Sequence, residues 1–96
     1  MFEIHKSRRA CADIHNIWLY SFENWGEAQA DKYFDQLMAG INELRRHPEL
    51  GKPRDSLRKG YRSLQIQHHV VFYTVSSSIV SIKRVLHERM DPDAGL

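Results

Sequence analysis

The chain has 96 residues, 42 % of them apolar and 27 % charged, with a formal net charge of +2 at pH 7. That allows one hydrophobic core but not two, excludes wholesale disorder, and leaves no apolar run near the ~20 residues needed to cross a bilayer. The single cysteine, Cys11, cannot form an internal disulfide, and the opening MFEIHKSRRA lacks the apolar core of a signal peptide. A cytoplasmic protein with no membrane contact is expected.

Phe2 to Lys6 alternates apolar and polar residues, which predicts a short first strand at a sheet edge. Ser7 is placed to cap a following helix through its hydroxyl. From Arg8 to about Asn24, Ala10, Ile14, Ile17, Trp18 and Ser21/Phe22 form one apolar stripe, the pattern of an amphipathic helix. Trp25-Gly26 interrupts it, and Glu27 then complements the dipole of a second helix. That helix carries Ala30, Tyr33, Phe34, Leu37, Met38, Ile41 and Leu44 at three- and four-residue intervals. Arg45, Arg46 and His47 mark its C-terminal end and Pro48 stops it. The short connection predicts an antiparallel helical hairpin. Trp18, Tyr33, Phe34 and Leu37, with Phe72 from the sheet, are expected in the core.

Pro48 to Gly60 is irregular and suits either a functional loop or a long crossing to the sheet. Arg45, Arg46, Lys52, Arg54, Arg58, Lys59 and Arg62 face only Glu49 and Asp55 in this part of the chain. Such a stretch either steers an acidic partner or a phosphate backbone, or simply keeps a loop solvated. Tyr61 to Gln67 alternates again and reads as a strand. His68 to Asp91 is a β-branched and aromatic run split by Ser76, Ser77 and Ser78, hence a hairpin with a tight polar turn. The order is β-α-α-β-β-β, an α+β domain over residues 1–96 with a helical hairpin on one face of a small antiparallel sheet.

Chemistry is harder to find. There is no phosphate loop, CxxC or HExxH, the six histidines share no ligand spacing, and no base neighbours Cys11. No metal, cofactor or catalytic residue is assigned. The candidates that remain are basic and aromatic: Arg58, Lys59, Tyr61 and Arg62 before the hairpin, and Lys83, Arg84, His87 and Arg89 at its end. They could bind phosphate, position RNA for acid–base cleavage, or form a protein-binding surface. In an unbroken strand Arg84 would share a face with Val80, Ile82 and Leu86, so it is either packed by its stem or projected from the open end of the sheet.

The sequence resembles the ParE toxins of bacterial toxin–antitoxin systems, within the RelE/ParE superfamily. The resemblance runs through SRRACADIHNIWLYSFENWGEAQADKYFDQL, HPELGKP, LRKGYRS, HHVVFYTV and IKRVLHERMD. Its specific parts are Trp25-Gly26 followed by Gln29-Ala30, then Gly60-Tyr61-Arg62 and Arg84-Val85-Leu86-His87. The resemblance implies the same element order. It also implies a co-encoded ParD-like antitoxin, a ribbon-helix-helix protein whose C-terminal segment wraps the toxin and through which the complex binds operator DNA. The implied target is DNA gyrase; the RelE branch instead cuts mRNA on the ribosome, commonly with a tyrosine near the C-terminus. HERMDPDAGL has no tyrosine, which favours gyrase inhibition without chemistry of the toxin's own. Antitoxin contact is expected at the edge of the helical hairpin and at Arg58, Arg62 and Arg84, with Lys83, His87 and Arg89 as further partner-binding candidates.

Overall fold

The computed structural model describes all 96 residues. Strand β1 (Glu3–Lys6) leads into helices α1 (Arg8–Trp25) and α2 (Glu27–Asn42), the latter ending in a 3-10 turn over Glu43–Arg45. Strands β2 (Lys52–Pro53), β3 (Arg62–Ile66), β4 (His69–Ser76) and β5 (Ile79–His87) follow, then a four-residue helix, α3 (Pro92–Gly95). The five strands form one sheet in the order β1-β5-β4-β3-β2.

Most of the expected elements are present, and their caps explain the boundaries. The Ser7 hydroxyl accepts the Ala10 N–H at 3.0 Å and donates to the Lys83 carbonyl at 2.9 Å, so the cap of α1 also ties that helix to β5. Gly26 sits at φ +90, a conformation costly for any residue with a Cβ, and this lets α2 start one residue after α1 ends. Trp18 Nε1 donates to Asp31 Oδ1 at 2.9 Å across the helical hairpin.

Four expectations need correction. The sheet is mixed, because β1 lies parallel to β5, with Glu3 opposite Ile79 and Lys6 opposite Ile82. The irregular segment contains β2, whose Lys52 and Pro53 pair with Ser63 and Arg62. Gly51, just before it, lies so close to Tyr73 that a Cβ would fall 2.6 Å from the tyrosine oxygen. That oxygen accepts the Gly51 N–H at 2.8 Å and donates to the Pro48 carbonyl at 2.6 Å. Helix α2 ends at Asn42, so Arg45, Arg46 and His47 lie beyond its last turn. Phe34 is 38 % exposed, on the outer side of the helical hairpin, and is not core.

The core lies between the hairpin and one face of the sheet. Ala10, Ile14, Leu37, Ile41 and Leu44 meet Val71, Tyr73, Val80, Ile82 and Val85. Full burial of each large aliphatic among them is worth roughly 1.5–3 kcal/mol. Leu37 and Phe72 are buried as expected, while Trp18 and Tyr33 are half-buried.

A β-bulge resolves where Arg84 points. Phe72 pairs with Arg84 but Tyr73 pairs with Ile82, so Lys83 is the extra residue. The alternation therefore slips by one: Ile82 and Val85 both face the helices, and Arg84 with Leu86 turns to the other side. Arg84 does not share a face with Val80 and Ile82.

Candidate functional site

Beyond Lys6, β1 no longer covers the edge of β5, and the start of α1 takes over. Ser7 N–H donates to the Ile82 carbonyl at 3.0 Å, and Asp13 Oδ2 accepts the Val85 N–H at 3.0 Å. The same carboxylate receives Arg84 Nε at 2.7 Å and Nη2 at 2.9 Å, a two-pronged pair with both side chains about 15 % exposed. Asp13 holds the Arg84 guanidinium above its already high ordinary pKa, against the opposing effect of burial. Arg84 Nη1 donates to the Gly95 carbonyl. The expected free cation is a structural node joining α1, β5 and α3.

Next to this node the helical hairpin and the ends of β4 and β5 enclose a groove of about 740 Å³. Tyr20 and Trp25 line its outer wall, 60 % and 64 % exposed, with Met90 across from them on the chain leaving β5. Its floor is polar. His69 and His87 are cross-strand partners with ring centroids 5.2 Å apart, edge to face. The Tyr33 hydroxyl lies 2.5 Å from His69 Nδ1 and accepts the His68 N–H at 3.1 Å. Its single proton then goes to His69, which keeps that ring neutral with its proton on Nε2. Burial, followed by the like charges of His87 and His68, pushes His69 down to about 4. Burial also raises Tyr33. At the rim, His68 Nδ1 and Gln65 Nε2 reach the two oxygens of Glu88 at 3.0 and 2.9 Å, and the His68 bond is the main cause of that carboxylate's lowered pKa.

The basic candidates do not form one site. Arg84 and His87 share the groove, and Arg89 follows on the exposed exit from β5. Lys83 sits in the bulge, half-buried. Arg62 braces the loop before β2, donating to the Gly51 carbonyl at 2.6 Å, remote from the groove lining. Arg58 reaches the Leu96 carbonyl at 3.1 Å. Sequence reasoning missed Asp13, His69 with Tyr33, and the exposed Tyr20–Trp25 pair. Only Asp13 had a usable signal, as an acid one residue before Ile14 on the apolar stripe of α1.

Comparison with known proteins follows this geometry. The family profile described as the ParE toxin of type II toxin–antitoxin system, parDE, matches residues 4–92. Toxin ParE1 of Caulobacter vibrioides is 47 % identical over 90 residues, covering 94 % of this chain and 93 % of that protein. Toxin ParE1 of Mycobacterium tuberculosis is 36 % identical over 91 residues, with the same coverage of each chain. Among solved structures, a chain of the chromosomal ParDE system of P. aeruginosa superposes with a TM-score of 0.80 at 21 % identity, over 91 % of this chain and 96 % of that one. A chain of the YoeB–YefM complex of Staphylococcus aureus gives 0.60 at 22 %, over 91 % and 97 %.

Proposed function

The chain belongs to the ParE toxin family of type II toxin–antitoxin systems, and from that membership we propose that it arrests growth by binding DNA gyrase and that a ParD-like antitoxin neutralises it. The toxin acts through a surface rather than through bond-breaking of its own. The observation that carries this reading is the state of Arg84. It is the one arginine or lysine lining the groove that holds His69 and His87. Two of its nitrogens are held by Asp13 and the third by Gly95. A guanidinium so engaged is poorly placed to stabilise charge developing on a scissile phosphate. His69, neutral and hydrogen-bonded by Tyr33, is also a weak base, and no tyrosine follows Tyr73.

The groove itself supports the antitoxin half of the proposal. Tyr20, Trp25 and Met90 expose contiguous apolar surface around a polar floor, the pattern of a protein interface. A segment that folds on binding would cover them, and operator DNA is reached through the antitoxin rather than through this chain. Arg58 is exposed and available for an acidic antitoxin residue. Arg62 and Arg84 already serve internal carbonyls and Asp13, so their reversal would disturb the toxin itself.

A supercoiling assay with purified gyrase tests the target. Inhibition by the toxin that disappears when the antitoxin is added is expected, and normal supercoiling at toxin excess would overturn the reading. Transcript ends cut within translated codons after expression would replace it with ribosome-dependent mRNA cleavage.

A further inference from the structure

Three arginines from three distant parts of the chain converge on two consecutive backbone carbonyls. Arg9 of α1 donates to the Gly95 carbonyl at 3.3 Å, Arg84 of β5 donates to the same oxygen, and Arg58 of the loop before β3 donates to that of Leu96. We propose that Arg9, Arg58 and Arg84 form a binding site for phosphate-type anions, and that the C-terminal turn, residues 91–96, is its built-in competitor.

Charge points the same way. A carbonyl is a neutral acceptor and leaves guanidinium charge uncompensated, whereas phosphate matches the fork of donors and the charge together. Asp13 neutralises Arg84, but no carboxylate is paired with Arg9 or Arg58. Helix α1 adds to the field. Its first turn holds no acid and begins Arg8-Arg9, where the positive end of the helix dipole makes a cation unfavourable by about 0.3–1 kcal/mol each. Positive charge is concentrated there against the local preference of the helix. The nearby acids Asp91 and Asp93 belong to the turn and leave with it, and the Asp91 side chain caps the turn through the Asp93 N–H at 3.0 Å.

The turn is held by few other contacts. Gly95 is buried against Leu86, and a Cβ added there would lie 2.6 Å from Leu86 Cδ1. Gly95→Ala therefore pries the turn outward while every arginine stays in place. A phosphate group could come from a nucleic-acid backbone or from free phosphate, and the two sources give different results.

The test is titration of the full chain with inorganic phosphate and, separately, with a short DNA duplex. Hydrogen exchange is followed at the Gly95 and Leu96 amides, which bond the Asp91 and Pro92 carbonyls. Phosphate is expected to speed exchange at both amides and to bind Gly95→Ala several-fold more tightly than the wild type. The double variant Arg9→Ala, Arg58→Ala should lose the phosphate response. If the duplex binds too, the double variant should flatten its salt dependence by about one unit of slope per arginine, which identifies a nucleic-acid source. A response to phosphate alone identifies the free anion. Unchanged amide exchange together with equal phosphate affinity in the wild type and the double arginine variant overturns the proposal, whether or not Gly95→Ala folds.

Discussion

Two polar clusters meet on the last residues of β5, and they handle charge in opposite ways. At Arg84 the chain buries a permanent cation and answers it fully, with Asp13 taking two guanidinium nitrogens and the Val85 N–H as well. Three residues on, at His87 and its neighbour His69, it buries a titratable ring and keeps it neutral through the Tyr33 hydroxyl. The first arrangement is fixed at any pH the fold survives. The second depends on pH, and it forms the floor of the groove whose apolar rim is exposed. The difference separates what holds the fold from what is left for a partner.

The largest effect should come from breaking the fixed cluster. Asp13→Ala leaves the Arg84 guanidinium without its counter-charge and the Val85 N–H without its acceptor. A cost of about 3–5 kcal/mol is expected, read as a shift in the denaturant midpoint with little change in slope. Adding Arg84→Met to Asp13→Ala should recover much of that loss, since an apolar pair of similar volume often replaces a buried ion pair without penalty. A single-variant cost below about 1 kcal/mol would place this pair among surface salt bridges and erase the contrast.

The next effect belongs to the titratable cluster. His69 has a folded pKa of about 4 against an ordinary 6.5. Below pH 6.5 the unfolded chain takes up a proton that the folded ring refuses. Stability should therefore be level above that pH and fall as pH drops from 6.5 toward 4. The ring is only part-buried, so the loss is on the order of 1–2 kcal/mol after allowing for solvent screening. His69→Gln should flatten this part of the profile. Glu88, with its lowered pKa, also loses stabilising contacts in acid, but only below the ordinary carboxylate range, so measurements between pH 5 and pH 6.5 isolate the histidine. An equally steep fall in His69→Gln would move the effect elsewhere.

The boundary between the two clusters also marks what could be read from sequence. The helical hairpin, the order of the elements and the hairpin of β4 and β5 follow from periodicity, because each local pattern agrees with its tertiary place. The parallel pairing of β1 with β5 has no local signature, since it joins residues more than seventy positions apart. The bulge at Lys83 was hidden for a related reason. A strand with one extra residue still looks like a strand, and only the pairing of Phe72 with Arg84 and Tyr73 with Ile82 shows where the alternation slips. His69 and Tyr33 were legible only as a β-branched neighbourhood and an apolar stripe. Their polar ends meet because α2 crosses that end of β4, a fact of packing.

A smaller change separates hydrogen bonding from burial at His69. Tyr33→Phe keeps the ring but removes the hydroxyl that bridges His69 Nδ1 and the His68 N–H. A loss of about 1 kcal/mol is expected at neutral pH. Hydrogen bonding to the neutral ring also disappears, so the His69 midpoint in an NMR titration should rise. A midpoint that stays put would assign the whole shift to the surroundings rather than to the tyrosine.

The smallest effect is the most specific to the groove. His87 is exposed, so His87→Asn should alter stability by no more than about 0.5 kcal/mol. It nonetheless removes the second cause of the low His69 pKa, a like charge whose ring centre lies 5.2 Å away. The His69 midpoint should therefore move upward by a fraction of a unit, less than in a variant that opens the site to water, because burial is the first cause. A rise without a change in denaturant midpoint would show that the two histidines are coupled through charge alone. That would leave His87 free to meet an acidic partner residue without disturbing the fold. No movement at all would mean that burial by itself sets His69, and the cluster would then be a pocket for one neutral ring rather than a coupled pair.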